Sequence, residues 1–139
     1  MAKLRKQKNI CQGSQSYDYR KTGAGSLPAD PSTTPSGAAL TLVANRTLAL
    51  AGTNDKVHGF FRLYDKGADK ISIFGEDAGE ISGIPANGTI AVGSAVIGYL
   101  DSDRGKVKAV DTTALAQVAN GKWDCTQSVS GSCSLRPSA

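Results

Sequence analysis

Histidine, methionine and tryptophan each occur once in 139 residues, and aromatics make up only 6% of the chain. The single histidine removes most familiar catalytic arrangements. A Ser-His-Asp or Cys-His centre would have to use His58, and no Gly-x-Ser-x-Gly turn accompanies it. One histidine and no Cys-x-x-Cys pair leave the usual zinc spacings unfilled. No Gly-Lys-Ser/Thr phosphate loop occurs, and Gly23-Ala-Gly25 is too short for a dinucleotide loop, with no strand before it. No apolar run approaches the roughly 20 residues that a membrane helix needs. None follows the basic first residues either, so neither a membrane span nor a secretory leader is expected. These absences argue against an enzyme, and no cofactor or metal is expected.

What the chain does have is small residues: 16 glycines, with hydrophobic residues at 40%. A core must come mainly from Ala, Val, Leu and Ile, and a single domain of this size can bury one. From Ala38 to Val110 short β-forming runs alternate with turn residues. Strands are expected at 39–44, 47–51, 60–64, 71–74, 80–84, 89–92, 95–100 and 106–110, with Asn45-Arg46 as a tight turn. Short strands at such spacing predict an all-β fold, a small barrel or sandwich. One short helix is expected at 112–119, capped by Asp111 or Thr112 and stopped at Asn120-Gly121.

The flanks differ in grain. Residues 1–37 hold Pro28, Pro31 and Pro35 with several glycines, which excludes a helix interior or a central strand there. They are expected to form an extended arm. Residues 38–121 form the body, and 122–139 a Ser-rich polar tail anchored by Trp123.

Charge is unevenly placed. Residues 1–22 carry Lys3, Arg5, Lys6, Lys8, Arg20 and Lys21 against Asp18 alone, a balance of +5, whereas the rest of the chain balances to −1. A basic arm on a near-neutral body suits an acidic surface, either nucleic acid or protein, unless it serves only as a solubilising tail. Nucleic-acid binders usually interleave aromatics with basic residues through the body; only Tyr17 and Tyr19 lie near this arm.

Other motifs have plain readings. Asp101-x-Asp103-x-Gly105 resembles the start of a calcium loop but lacks the closing Glu. A hairpin turn with Gly105 at positive φ accounts for it better. Glu76, Asp77 and Glu80 lie in or beside a Gly-bounded turn, a poor setting for acid–base work. Asn45-Arg-Thr47 and Asn87-Gly-Thr89 match the glycosylation pattern and are read as turns. The three cysteines, Cys11, Cys125 and Cys133, leave at least one unpaired within the chain. Cys125 and Cys133 could close a small disulfide loop worth roughly 2–3 kcal/mol, or stay reduced in a cytosolic product. Cys11 is a candidate for an intermolecular cross-link.

The segment Gly88-Thr-Ile-Ala-Val-Gly-Ser-Ala-Val-Ile-Gly-Tyr-Leu100, followed by Gly105-Lys-Val-Lys-Ala-Val110, resembles the head decoration (capsid cement) proteins of tailed bacteriophages. The family pattern of a V-x-V-G-x-x-V strand pair and a G-K-V strand falls on Ile90, Val92, Gly93, Val96 and Gly105-Lys106-Val107. The match covers about 25 residues and leaves the upstream body and the tail uncovered. The resemblance implies a structural protein, made in the host cytoplasm and carried on the outer capsid surface. Its partners would be the major capsid protein and itself, as a homotrimer. Lys3, Arg5, Lys6, Lys8, Arg20 and Lys21 would then make electrostatic contacts, and Tyr17, Tyr19 and Trp123 would anchor the interface. The alternative is a nucleic-acid-binding β-barrel with the arm as a phosphate clamp.

Overall fold

The computed structural model describes residues 2–6, 16–101 and 104–138. Glycine, proline or an Asx turn interrupts the β-forming runs every few residues, so the strands are short. They are β1 (Lys3–Lys6), β2 (Asp18–Tyr19), β3 (Ala39–Ala44), β4 (Thr47–Leu50), β5 (Gly59–Asp65) and β6 (Lys70–Phe74). β7 (Glu80–Pro85), β8 (Ala95–Asp101), β9 (Arg104–Ala109), β10 (Trp123–Val129) and β11 (Ser132–Pro137) follow, with one helix, α1 (Leu115–Asn120), ahead of β10. The fold is all-β, as the strand pattern predicts.

Two curled sheets form it, in the orders β1-β7-β11-β10-β8-β9 and β2-β4-β3-β5-β6. The ladders are antiparallel except β2 on β4. Single bridges draw each sheet around on itself: Ala86 to Val107 in the first, Tyr17 to Ile71 in the second. Each curl encloses apolar side chains. Trp123, Ile81, Ile84, Val96, Val107 and Leu135 fill one core, together with Phe60 and Ala39 from the other sheet. Leu40, Leu48, Leu50, Phe61 and Ile71 fill the second, with Tyr17 and Tyr19.

The flanks depart from the sequence expectation. Residues expected as a free arm join both sheets: β1 pairs with β7, β2 pairs with β4, and Leu27 and Pro31 are buried. The prolines do keep 28–37 out of regular strands. They leave a single 3-10 turn at Pro31–Thr33, capped by the Asp30 carboxylate on the Ser32 amide. The polar tail is instead a hairpin, β10–β11, inside the six-stranded sheet. Its signal was a two-residue period: Trp123 and Cys125 point inward, as do Cys133 and Leu135, and Gly131 at φ +84° makes the turn.

Three local readings change as well. The expected strand at 89–92 is an irregular crossing between Gly88 (φ +73°) and Gly93 (φ +90°), with Ile90 buried and its amide donating to Ser128 Oγ. Gly105 does not take a positive φ; it sits inside β9 because a Cβ there would meet the Ala39 carbonyl at 2.6 Å. The helix starts later than expected, at Leu115. Asp111 spends its carboxylate on the amide and hydroxyl of Thr113, which makes a turn ahead of the helix and no cap on it.

Candidate functional site

Of the residues proposed for partner contact, Lys3, Arg5 and Lys6 lie on β1, the outermost strand of the six-stranded sheet. Its register sets Lys3 against Ser82, Leu4 against Ile81 and Lys6 against Glu80. Lys8 and Cys11 lie outside the described residues. Trp123 is fully buried: its indole Nε1–H donates to the Val57 carbonyl at 3.1 Å, and Phe60 meets its ring edge-on at 4.9 Å. It is a core residue in this chain and offers no surface to a partner. The Tyr17 and Tyr19 rings are also buried, because β2 lies across the open end of the second core. Arg20 is half-buried and braces its own loop through the Ala24 carbonyl at 2.8 Å.

Cys125 and Cys133 are free thiols, both buried. The hairpin register pairs Cys125 with Leu135 and Cys133 with Ser128, so neither cysteine faces the other across the ladder. Burial pushes the Cys125 thiol up and that of Cys133 up to about 12, which keeps both protonated and unreactive at neutral pH. His58 lies beside Tyr17, with Nε2 and the phenol oxygen 3.3 Å apart. Burial, helped by the Lys56 charge, lowers its imidazole from the ordinary value.

The most organised polar group lies elsewhere, on the β5–β6 turn. Asp65 shapes this turn by accepting from the Gly67 and Ala68 amides at 3.0 and 3.3 Å. The turn closes with Asp69 in the left-handed region (φ 52°), a conformation Asp and Asn tolerate. Three donors converge on its carboxylate. Tyr19 and Tyr64 both donate to Oδ1, at 2.5 and 2.8 Å, and Lys21 donates to Oδ2 at 2.8 Å. The two phenol rings pack edge to face with centroids 6.0 Å apart, and the Lys21 ammonium stands 5.4 Å from the Tyr19 ring centre. With Pro28, Ala29 and Lys66 these four residues line an open cleft of about 470 Å³.

The electrostatics follow from this geometry. Hydrogen bonds from Lys21, Tyr19 and Tyr64 hold the Asp69 carboxyl far below the usual carboxylate range. The same anion raises both phenols, Tyr64 the more strongly. Neither acid nor phenol is poised near neutral pH, so the cluster is built to hold its protons where they are, as a clamp and not as a proton relay. The clamp ties residues 19–21 to the β5–β6 hairpin. Sequence reasoning did not find Asp69, whose three partners come from 48 to 50 residues upstream and from five residues away.

The clamp should show itself in stability against pH. Asp69 has a depressed pKa in the folded state, so its contribution is present above about pH 4 and lost as pH falls through the folded value. Tyr64 has a raised one, so its contribution is present below about pH 10 and lost as pH rises through the folded value. Asp69→Asn keeps the left-handed residue and should flatten both limbs in thermal unfolding across a pH series. An unchanged profile would show that the clamp contributes nothing.

Among the described residues, no group of three or more His, Cys, Asp and Glu could hold a metal ion, and no helix is long and apolar enough to cross a membrane. Compared with known proteins, the chain matches no family model, no curated protein and no solved structure.

Proposed function

We propose that this protein is a structural component of a virion. It binds the outside of an assembled phage capsid as a homotrimer and stabilises it by bridging neighbouring major capsid subunits. The observation that carries this reading is where the charge sits. The basic residues Lys3, Arg5 and Lys6 occupy a peripheral edge strand of a body that is otherwise near-neutral. A charged edge strand repels indiscriminate strand pairing and favours an acidic partner surface. Exposed apolar residues support the same reading. Leu115 is 83% exposed on α1 and Val92 70% exposed on the turn before β8. The aromatic anchors inferred from sequence are replaced in this proposal by these aliphatic residues and the basic edge.

Co-sedimentation with empty tailed-phage heads, beside a labelled duplex DNA control and at low and moderate salt, tests the proposal. Saturable head binding with little DNA affinity is expected. A Lys3→Glu, Lys6→Glu, Lys8→Glu variant should remain folded and bind heads at least about tenfold more weakly, since each tenfold corresponds to about 1.4 kcal/mol. Salt-sensitive DNA binding without head binding would overturn the proposal and turn the basic edge into a phosphate clamp.

A further inference from the structure

The chain contains two Asn-Gly pairs outside the first 15 residues, Asn87-Gly88 and Asn120-Gly121. Asn followed by Gly is the pair in which the next backbone nitrogen most easily reaches the side-chain amide carbon, because no Cβ stands in the way. The surrounding structure treats the two pairs differently.

Asn120 is held at both ends of the reacting unit. Its Nδ2 donates to the Asn54 carbonyl at 3.2 Å, and the Gly121 amide donates to the Val118 carbonyl at 3.3 Å. Gly121 is also packed tightly: a Cβ there would lie 2.9 Å from the Ala95 Cβ and 3.0 Å from Val110. Asn87 is exposed, and neither its side chain nor the Gly88 amide has a hydrogen-bond partner among the described residues. Nothing lies within 4 Å of where a Gly88 Cβ would be, so the turn has room to bend.

We propose that Asn87 is a spontaneous modification site, converted in the folded protein to aspartate and isoaspartate while Asn120 keeps its amide. The Gly88 amide nitrogen gives up its proton and attacks Asn87 Cγ. The Cγ–Nδ2 bond breaks and ammonia leaves, closing a five-membered imide. Water then opens the ring. Attack at Cγ yields aspartate; attack at the backbone carbonyl yields isoaspartate, with the chain now running through the former side chain. No electron transfer is involved, and water is the co-reactant.

The position gives the chemistry a structural consequence. The Asn87 amide donates to the Val107 carbonyl at 2.9 Å, directly after the Ala86–Val107 bridge that draws the six-stranded sheet around. On the other side, the Gly88 carbonyl accepts from the Gly131 amide at 3.1 Å. Isoaspartate adds a backbone atom between these two bonds, so it works against the seam. Aspartate keeps the chain length and leaves the seam intact.

The test is peptide mapping by mass spectrometry of the full chain, aged at 37 °C in mildly alkaline buffer, folded and in denaturant. In the folded protein residue 87 should gain the amide-to-acid mass about tenfold or more faster than residue 120. Asn120 must first break two hydrogen bonds, which is enough to produce a factor of this size. In denaturant the two sites should convert at comparable rates. Asn87→Gln, whose cyclisation would need a larger ring, should remain unconverted. Separated aged material should melt at lower temperature in its isoaspartyl form than Asn87→Asp does. Equal rates at both sites in the folded protein would overturn the proposal. So would a lead for Asn120, or an unchanged Asn87 over the time in which the denatured chain converts.

Discussion

Trp123→Ala should cost about 3–5 kcal/mol, the usual range for truncating a large buried aromatic. That is a large fraction of the roughly 5–15 kcal/mol that holds a domain of this size together. Three contributions add up at this position. The ring is fully buried, its edge-to-face partner Phe60 belongs to the other sheet, and its N–H satisfies the Val57 carbonyl deep in the core. Alanine empties the space between the sheets and orphans that carbonyl at once. Trp123→Phe refills most of the volume and loses only the hydrogen bond, so it should cost less, about 1–3 kcal/mol. Denaturant unfolding of the two variants measures both values. The comparison also separates core from interface: an anchor presented to a partner would lose binding with stability intact. Loss of stability with unchanged binding per folded molecule is expected. A stable Trp123→Ala protein would contradict the packing described.

Apart from 89–92, the strand content of residues 39–110 was legible because alternation and turn chemistry coincide there. Leu40 and Leu42 alternate with Thr41, Asn45-Arg46 turns with Arg46 at φ 54°, and the next run returns on it as β4. The Ser-rich hairpin was less legible because composition masked period. The serines and threonines of β10 and β11 look like a tail, yet Trp123 and Cys125 on one strand, and Cys133 and Leu135 on the other, are buried two residues apart. The N-terminal segment misled for another reason. Proline and glycine correctly forbid long regular elements, but they do not forbid burial. Tyr17 and Tyr19 enter the second core from a single-bridge and a two-residue pairing, and Leu27 from a loop held by its amide to the Arg20 carbonyl, none of which a local pattern announces. The clamp at Asp69 was illegible for the same cause: its partners meet only after the chain has folded back over about 50 residues.

Gly98→Ala and Gly105→Ala should each cost about 3 kcal/mol, near the upper end for overpacking. Neither glycine has a positive φ, so the cost is steric and not conformational. β10 pairs with β8 only at Val96 and Ala95. Beyond that point the loop after β4 takes its place: Gly98 donates to the Asp55 carbonyl at 2.8 Å and accepts from the Asn54 amide at 2.9 Å. A Cβ on Gly98 would stand 2.6 Å from the Gly52 carbonyl and 2.8 Å from the Ala51 Cβ. A Cβ on Gly105 would stand 2.6 Å from the Ala39 carbonyl and 3.2 Å from its nitrogen. The obstacle is largely backbone, of the loop that leaves β4 for Gly98 and of β3 for Gly105, which cannot rotate aside as a side chain would. These two glycines therefore set how closely the sheets approach, and each added methyl must push them apart. Gly131→Asn is the control. It sits at φ +84° in open space, a conformation asparagine tolerates, and should change stability by less than about 1 kcal/mol. If thermal unfolding ranked the control with the two junction variants, close approach of the sheets would not be what these glycines provide.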